Sequence, residues 1–216
     1  MSISISLPPE YRNHKEIILK GLQYLTPRSK PMRNIQELSN SEKERLDLAL
    51  WFHRLEEQGK RLFHLTLTYN HSNKASEEYM KCIAEKTSIL FYQYALLPFL
   101  YDYKQNFYKK NDLPICYSFL DKQPFNKETV GIHNHMMLAV SPDIQQRLIQ
   151  VSKEDAPQQI VVSGLTKKNT KYYIGAKIIK RSRTMNVKRC KRNQVRVLYA
   201  SKAYDIYPEY KVFGYK

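Results

Sequence analysis

The stretch that most limits what this chain can fold into is Gly131-Ile-His-Asn-His-Met-Met-Leu-Ala-Val140, an apolar run holding two histidines one residue apart. In a β-strand successive side chains point to opposite faces. His133 and His135 therefore share a face with Met137 and Ala139. Ile132, Met136, Leu138 and Val140 line the other face, where helices can cover them. Two neutral imidazoles on one rigid strand make half of a divalent metal site. A strand can also carry two histidines with no ligand duty, so the residues around them decide.

The 216-residue chain has room for one large domain or two small ones. Net charge is +16 and the pI is near 9.6. The excess is concentrated: from Ala156 to Tyr204 there is no Asp or Glu, but eight Lys and five Arg. A one-signed block of that size points to a polyanion, nucleic acid before a membrane surface. A solvated basic face, as on a ribosome-associated protein, has the same composition. Cys82, Cys116 and Cys190 are odd in number and form no Cys-x-x-Cys pair. That disfavours a disulfide framework or a cysteine zinc site and fits a reducing cytoplasm. Met1–Glu10 has neither the charged start nor the apolar centre of a signal peptide. The longest apolar stretch, Ser88 to Tyr101, is broken by Gln93 and Pro98 and is too short for a bilayer.

Along the chain, residues 1–40 read as a helical appendage and linker, and residues 41–216 as the main domain. Tyr11, Ile17, Ile18, Leu22 and Leu25 recur at helical spacing. Ser41 with Glu44 predicts a capping box for a helix that Gly59 ends. Arg61–Tyr69 alternates Phe63, Leu65 and Leu67 against His64, Thr66 and Thr68, the clearest strand of the chain. A helical region from Ala75 through Tyr94, restarting after Pro98 and running to Lys110, precedes a strand at Ile115–Leu120. Asp121–Val130 reads as a hairpin loop and Gly131–Val140 as the third strand. Ser141-Pro142-Asp143 opens a helix through Val151. Ile160–Gly164 reads as the fourth strand, and Asn193–Tyr204 as a final helix. The order β, α, β, β, α, β predicts an α+β fold: a ferredoxin-like antiparallel sheet of split βαβ wiring, with helices on one face. No Gly-x-Gly-x-x-Gly or phosphate-loop motif is present, and Gly164-Leu-Thr-Lys-Lys168 only faintly resembles one, so nucleotide hydrolysis is not expected.

The final helix places Tyr199 and Lys202 three residues apart, on one face. A phenol is a poor nucleophile, and a neighbouring ammonium or metal favours its ionised form. With seventeen tyrosines in the chain, Tyr172, Tyr173 and Tyr204 are rival candidates.

Three segments, FHLTLTYN (63–70), IHNHMMLAV (132–140) and YASK (199–202), together resemble the HUH endonucleases. The nearest likeness is to the single-tyrosine Rep class, the rolling-circle replication initiators of small plasmids, phages and circular single-stranded DNA viruses. The segments stand in that family's order and extend over residues 61 to 204. The resemblance implies that His133, His135 and an acidic residue bind Mg²⁺ or Mn²⁺. It also implies that Tyr199 attacks a DNA phosphodiester, stays linked to the 5′ phosphate and is assisted by Lys202. The family usually has a bulky hydrophobe between the histidines, where this chain has Asn134. The third ligand is Asp121 if Phe119 faces His133 across the hairpin, which sets Asp121 opposite Gly131. Glu128 is the fallback, since a slip of one residue would turn Asp121 away.

The resemblance implies single-stranded DNA at a replication origin, in hairpin form, as the partner, with a host helicase and no membrane or nucleotide, in the cytoplasm or in the nucleus if the source is a eukaryotic virus. Thr66 and Thr68 on the first strand, and Lys171, Tyr172, Lys180, Arg181, Arg183, Arg189, Arg192 and Arg196 in the basic block, are the expected DNA contacts. Two other readings stand beside this one. A mobilisation relaxase or single-tyrosine transposase keeps the chemistry and changes the biology. A non-catalytic nucleic-acid-binding module would instead place stacking aromatics on the sheet.

Overall fold

The computed structural model describes residues 13–69, 76–100, 113–126, 129–145, 182–189, 193–208 and 210–214. In chain order its elements are α1 (Lys15–Leu25), a 3-10 turn (Ile35–Glu37), α2 (Asn40–Glu57), β1 (Arg61–Tyr69) and α3 (Glu77–Phe91). A π turn (Tyr92–Leu96) leads into α4 (Leu97–Leu100), followed by β2 (Ile115–Asn126) and β3 (Thr129–Val140). β4 (Ser182–Arg189), α5 (Asn193–Ala200) and β5 (Tyr210–Phe213) are the last elements among the described residues. The strands form one antiparallel sheet in the order β4-β1-β3-β2-β5. The first four stand in the order that split βαβ wiring requires, and the fold is α+β as expected. No helix among the described residues is long and apolar enough to cross a membrane.

Alternation along the strands divides the sheet into two unlike faces. Phe63, Leu65 and Leu67 of β1 join Ile132, Met136, Leu138 and Val140 of β3 on one face. There α3 covers them with Met80, Ala84 and Phe91. Burying a large apolar side chain is worth about 1.5–3 kcal/mol, so this layer anchors the strand that carries the histidines. Asn134 falls on the same buried face, where its amide donates to Ser118 Oγ at 2.9 Å. A buried amide with a partner costs little, which is how a polar residue fits between the two histidines.

The second face carries the histidines, and helices lie on it too. Ala49, Phe52 and Leu55 of α2 and Val197, Leu198 and Ala200 of α5 pack on Leu62, Phe119, Met137 and Ala139. α1 packs on α2 through Ile17, Ile18, Leu22, Leu46 and Leu50. At Gly21 an added Cβ would run into the buried Leu46 side chain, so the missing side chain sets this close approach. Arg33 ties the two helices together, donating to Leu25 O at 2.6 Å and to Glu42 at 2.5 and 3.2 Å.

Several boundaries differ from expectation. Ser39 caps α2, accepting from Glu42 N while Glu42 accepts from Ser39 N. The pair Ser41 and Glu44 has the same spacing, but only Glu42 also meets Arg33, and Ser41 instead bonds Asp205. Gly59 ends the helix as expected, at φ 88°, with Lys60 N donating back to Leu55 O. The π turn ends two residues before Pro98, which has no N–H for a regular helical ladder. The hairpin loop is far shorter than Asp121–Val130, because β2 and β3 stay paired out to Asn126 and Thr129. α5 stops at Ala200, and residues 201–206 form turns. β4 lies within the basic segment, and β5 is a strand the sequence pattern did not announce. The predicted strand Ile160–Gly164, the helix beyond Gln145 and the stretch to Lys110 lie outside the described residues.

Candidate metal centre and nucleophile

The pairing of β2 with β3 brings the ligands together. Phe119 stands opposite His135 and Asp121 opposite His133, two residues away from the register expected, in which Phe119 faced His133. The longer ladder of the tight hairpin fixes this register. A shift of two preserves the alternation, so Asp121 remains on the histidine face.

Asp121 Oδ2 lies 3.0 Å from His135 Nε2 and 3.2 Å from His133 Nε2. The two Nε2 atoms are 3.2 Å apart. Three donor atoms thus form a nearly equilateral triangle in a buried pocket. Around an ion bound at about 2.1 Å, neighbouring donors of an octahedron lie about 3.0 Å apart, and those of a tetrahedron about 3.4 Å. The triangle is closer to one face of an octahedron. Two imidazoles and a carboxylate in that arrangement could hold a divalent cation.

The neighbours hold the ligands in place. His64 Nε2 lies 3.1 Å and Thr66 Oγ1 3.2 Å from His135 Nδ1. A proton on Nδ1 donated to either one leaves the Nε2 lone pair for the ion, the usual arrangement of a ligating histidine. Burial lowers the pKa of His135, outweighing the opposing pull of Asp121, and so favours the neutral ring. Burial alone would raise that of Asp121. The close approach of His133, His135 and Lys202 overcomes it and holds the carboxyl well below the usual carboxylate range. Asp121 Oδ1 also accepts from Lys122 N at 2.9 Å.

α5 carries the other half of the site. The Tyr199 ring lies 5.2 Å from the His135 ring and 5.8 Å from that of His64, centroid to centroid. Lys202 Nζ stands 2.8 Å from Asp121 Oδ2 and 4.8 Å from the Tyr199 ring centre. Burial depresses the Lys202 pKa, but the bond and charge of Asp121 raise it overall, so the ammonium persists. The turn between these two residues is fastened from α2. The buried Arg45 donates to Leu198 O at 2.8 Å and to Ser201 Oγ at 3.3 Å, satisfying a carbonyl at the end of the helix.

Of the residues singled out in the sequence, Asp121, His133, His135, Tyr199 and Lys202 meet at one place. Thr66 joins them as a partner of His135. Tyr204 turns away toward Tyr210 and Glu44, because the helix has already ended. Thr68 lies on β1, and Arg183 and Arg189 on β4, with Arg189 opposite Phe63. Arg196 sits half-buried on α5. Glu128, Lys171, Tyr172, Tyr173, Lys180, Arg181 and Arg192 lie outside the described residues. Sequence reasoning placed His64 on this face without giving it a role, since only the strand register shows which ring it touches. It missed Arg45, which looks like any other charge on an amphipathic helix. No protein-family model, curated protein or solved structure matches the chain.

Proposed function

We propose that this chain is a metal-dependent endonuclease and strand transferase for single-stranded DNA, of the single-tyrosine HUH type, that starts rolling-circle replication at an origin. The observation that carries this reading is the Tyr199 ring against His135, beside a triangle of three metal-binding atoms. Asp121, His133 and His135 would hold Mg²⁺ or Mn²⁺. When bound, such an ion polarises the scissile phosphate and offsets charge on its non-bridging oxygens.

The chain's own residues supply the remaining chemistry. Tyr199 Oη attacks phosphorus and loses its proton. The bond from phosphorus to the 3′ oxygen breaks, and that oxygen leaves as a hydroxyl after taking up a proton. The 5′ phosphate stays on Tyr199, which conserves the ester so that a later 3′ hydroxyl can reverse the step without ATP. Lys202, beside Asp121 and the Tyr199 ring, would offset charge on the phosphate oxygens. Arg45 holds the turn that aims both side chains. The basic segment would hold the DNA backbone, and a host helicase would open the duplex.

The test is incubation of the full chain with labelled single-stranded oligonucleotides and Mn²⁺. An adduct that survives SDS is expected. Tyr199→Phe should form none while binding DNA and Mn²⁺ as the wild type does. An adduct that persists in Tyr199→Phe would move the nucleophile elsewhere, and no adduct under any condition would end the nuclease reading.

A further inference from the structure

Beside the metal ligands the histidine face carries a cavity of about 490 Å³. One wall is a single face of α2, on which Glu44, Trp51 and Arg54 recur at helical spacing. The opposite wall is the outer part of the sheet, Tyr117 and Phe119 of β2 with Tyr210 of β5. The rings form a tier. Tyr117 stacks with Tyr210 at 5.4 Å and 27°, and with Phe119 at 6.3 Å and 26°. Trp51 leans on Tyr117 at 5.1 Å. Tyr210, which also meets the Tyr204 ring at 6.0 Å, remains 41% exposed.

Register links this cavity to the metal ligands. Tyr210, Phe119, His135 and Thr66 stand in one row across four strands. Neighbouring strands are about 4.8 Å apart, so the aromatic wall begins one strand from His135. The size falls within the range of ligand pockets, about 300–1,000 Å³. Balanced charges in the wall, Glu44 and Asp47 against Arg45 and Arg54, suit a flat neutral group bearing both donors and acceptors better than a phosphate or an ammonium.

We infer that this cavity receives an unpaired nucleobase of the DNA strand whose phosphate lies at Asp121, His133 and His135. The inference rests on the nuclease reading above and extends it to a subsite. Base stacking on such rings tolerates any sequence, and the edges at Glu44 and Arg54 supply a preference.

Trp51 is the only tryptophan in the chain, so its emission reports on the cavity. The experiment titrates the full chain with a short single-stranded oligonucleotide and with the same sugar-phosphate strand lacking every base. Saturable quenching by the first and not by the second is expected. Tyr210→Leu should weaken binding of the base-bearing strand about tenfold at unchanged melting temperature, and Tyr210→Phe should restore it. Equal quenching by both strands, or equal loss in both variants, overturns the inference. Base-dependent quenching without a covalent adduct upholds the subsite and removes the nuclease. An adduct on Tyr199 with a base-independent response does the reverse.

Discussion

Asp121 Oδ2 is shared among His133, His135 and Lys202, so removing its charge disturbs every partner at once. Asp121→Asn is expected to weaken Mn²⁺ binding at least about tenfold, read by calorimetry, with the fold intact by circular dichroism. His64 acts one contact further out, through His135 Nδ1. His64→Ala should cost about 10–100-fold in Mn²⁺ affinity, the range typical for a group that orients a ligand. Wild-type affinity in that variant would mean that Thr66 alone fixes the ring. The candidate ligands were legible in the sequence because a strand repeats every two residues. That rule survives a register error of two, which is why Asp121 was found from an incorrect pairing. The duty of His64 depends on which residue of β3 lies opposite β1, and local periodicity does not contain that information.

At the level of elements, α5 is held by residues that sequence patterns pass over. Arg45→Ala would leave Leu198 O and Ser201 Oγ without their buried donor, at a cost of about 1–3 kcal/mol in chemical denaturation. Arg45→Met retains the stem and should recover only the packing share of that loss. Gly21→Val should cost about 1–3 kcal/mol through its collision with Leu46, with a lower melting temperature as the readout. The start of α2 makes a pH prediction. Burial raises the Glu42 pKa, but bonds from Arg33 and Ser39 lower it overall. A depressed pKa gives stability that is present above the unfolded value of about 4.3 and is lost as pH falls through the folded value. Glu42→Gln should therefore flatten the acid limb of stability below about pH 4.3 and reduce stability at neutral pH. β1 and β3 were readable because one buried face forces strict alternation. β4 was not, since Ser182–Arg189 has only Met185 and Val187 as apolar residues and its place depends on β1. The short β5 likewise exists through its pairing with β2.

For the molecule as a whole, the concentrated positive charge predicts DNA binding that weakens steeply with salt. The slope of log K against log salt should be about −0.7 per phosphate contact on single strands. A flat response would leave those charges as a solvated surface. Fold class was legible because the order of strands and helices nearly determines how a split βαβ sheet is wired. The layer formed by α1, α2 and α5 was not, since nothing in a helical periodicity says which sheet face it will cover. That wiring also imposes a timetable on a chain leaving the ribosome. β1 emerges early, yet its two neighbours in the sheet, β3 and β4, follow only after long intervening segments. The β2–β3 hairpin closes locally and gathers Asp121, His133 and His135 well before α5 is synthesised. Contacts so distant in sequence form slowly, and domains consolidate from the N-terminal side during translation. A half-made chain thus possesses Asp121, His133 and His135 without Tyr199, and the four residues can meet only once α5 has arrived.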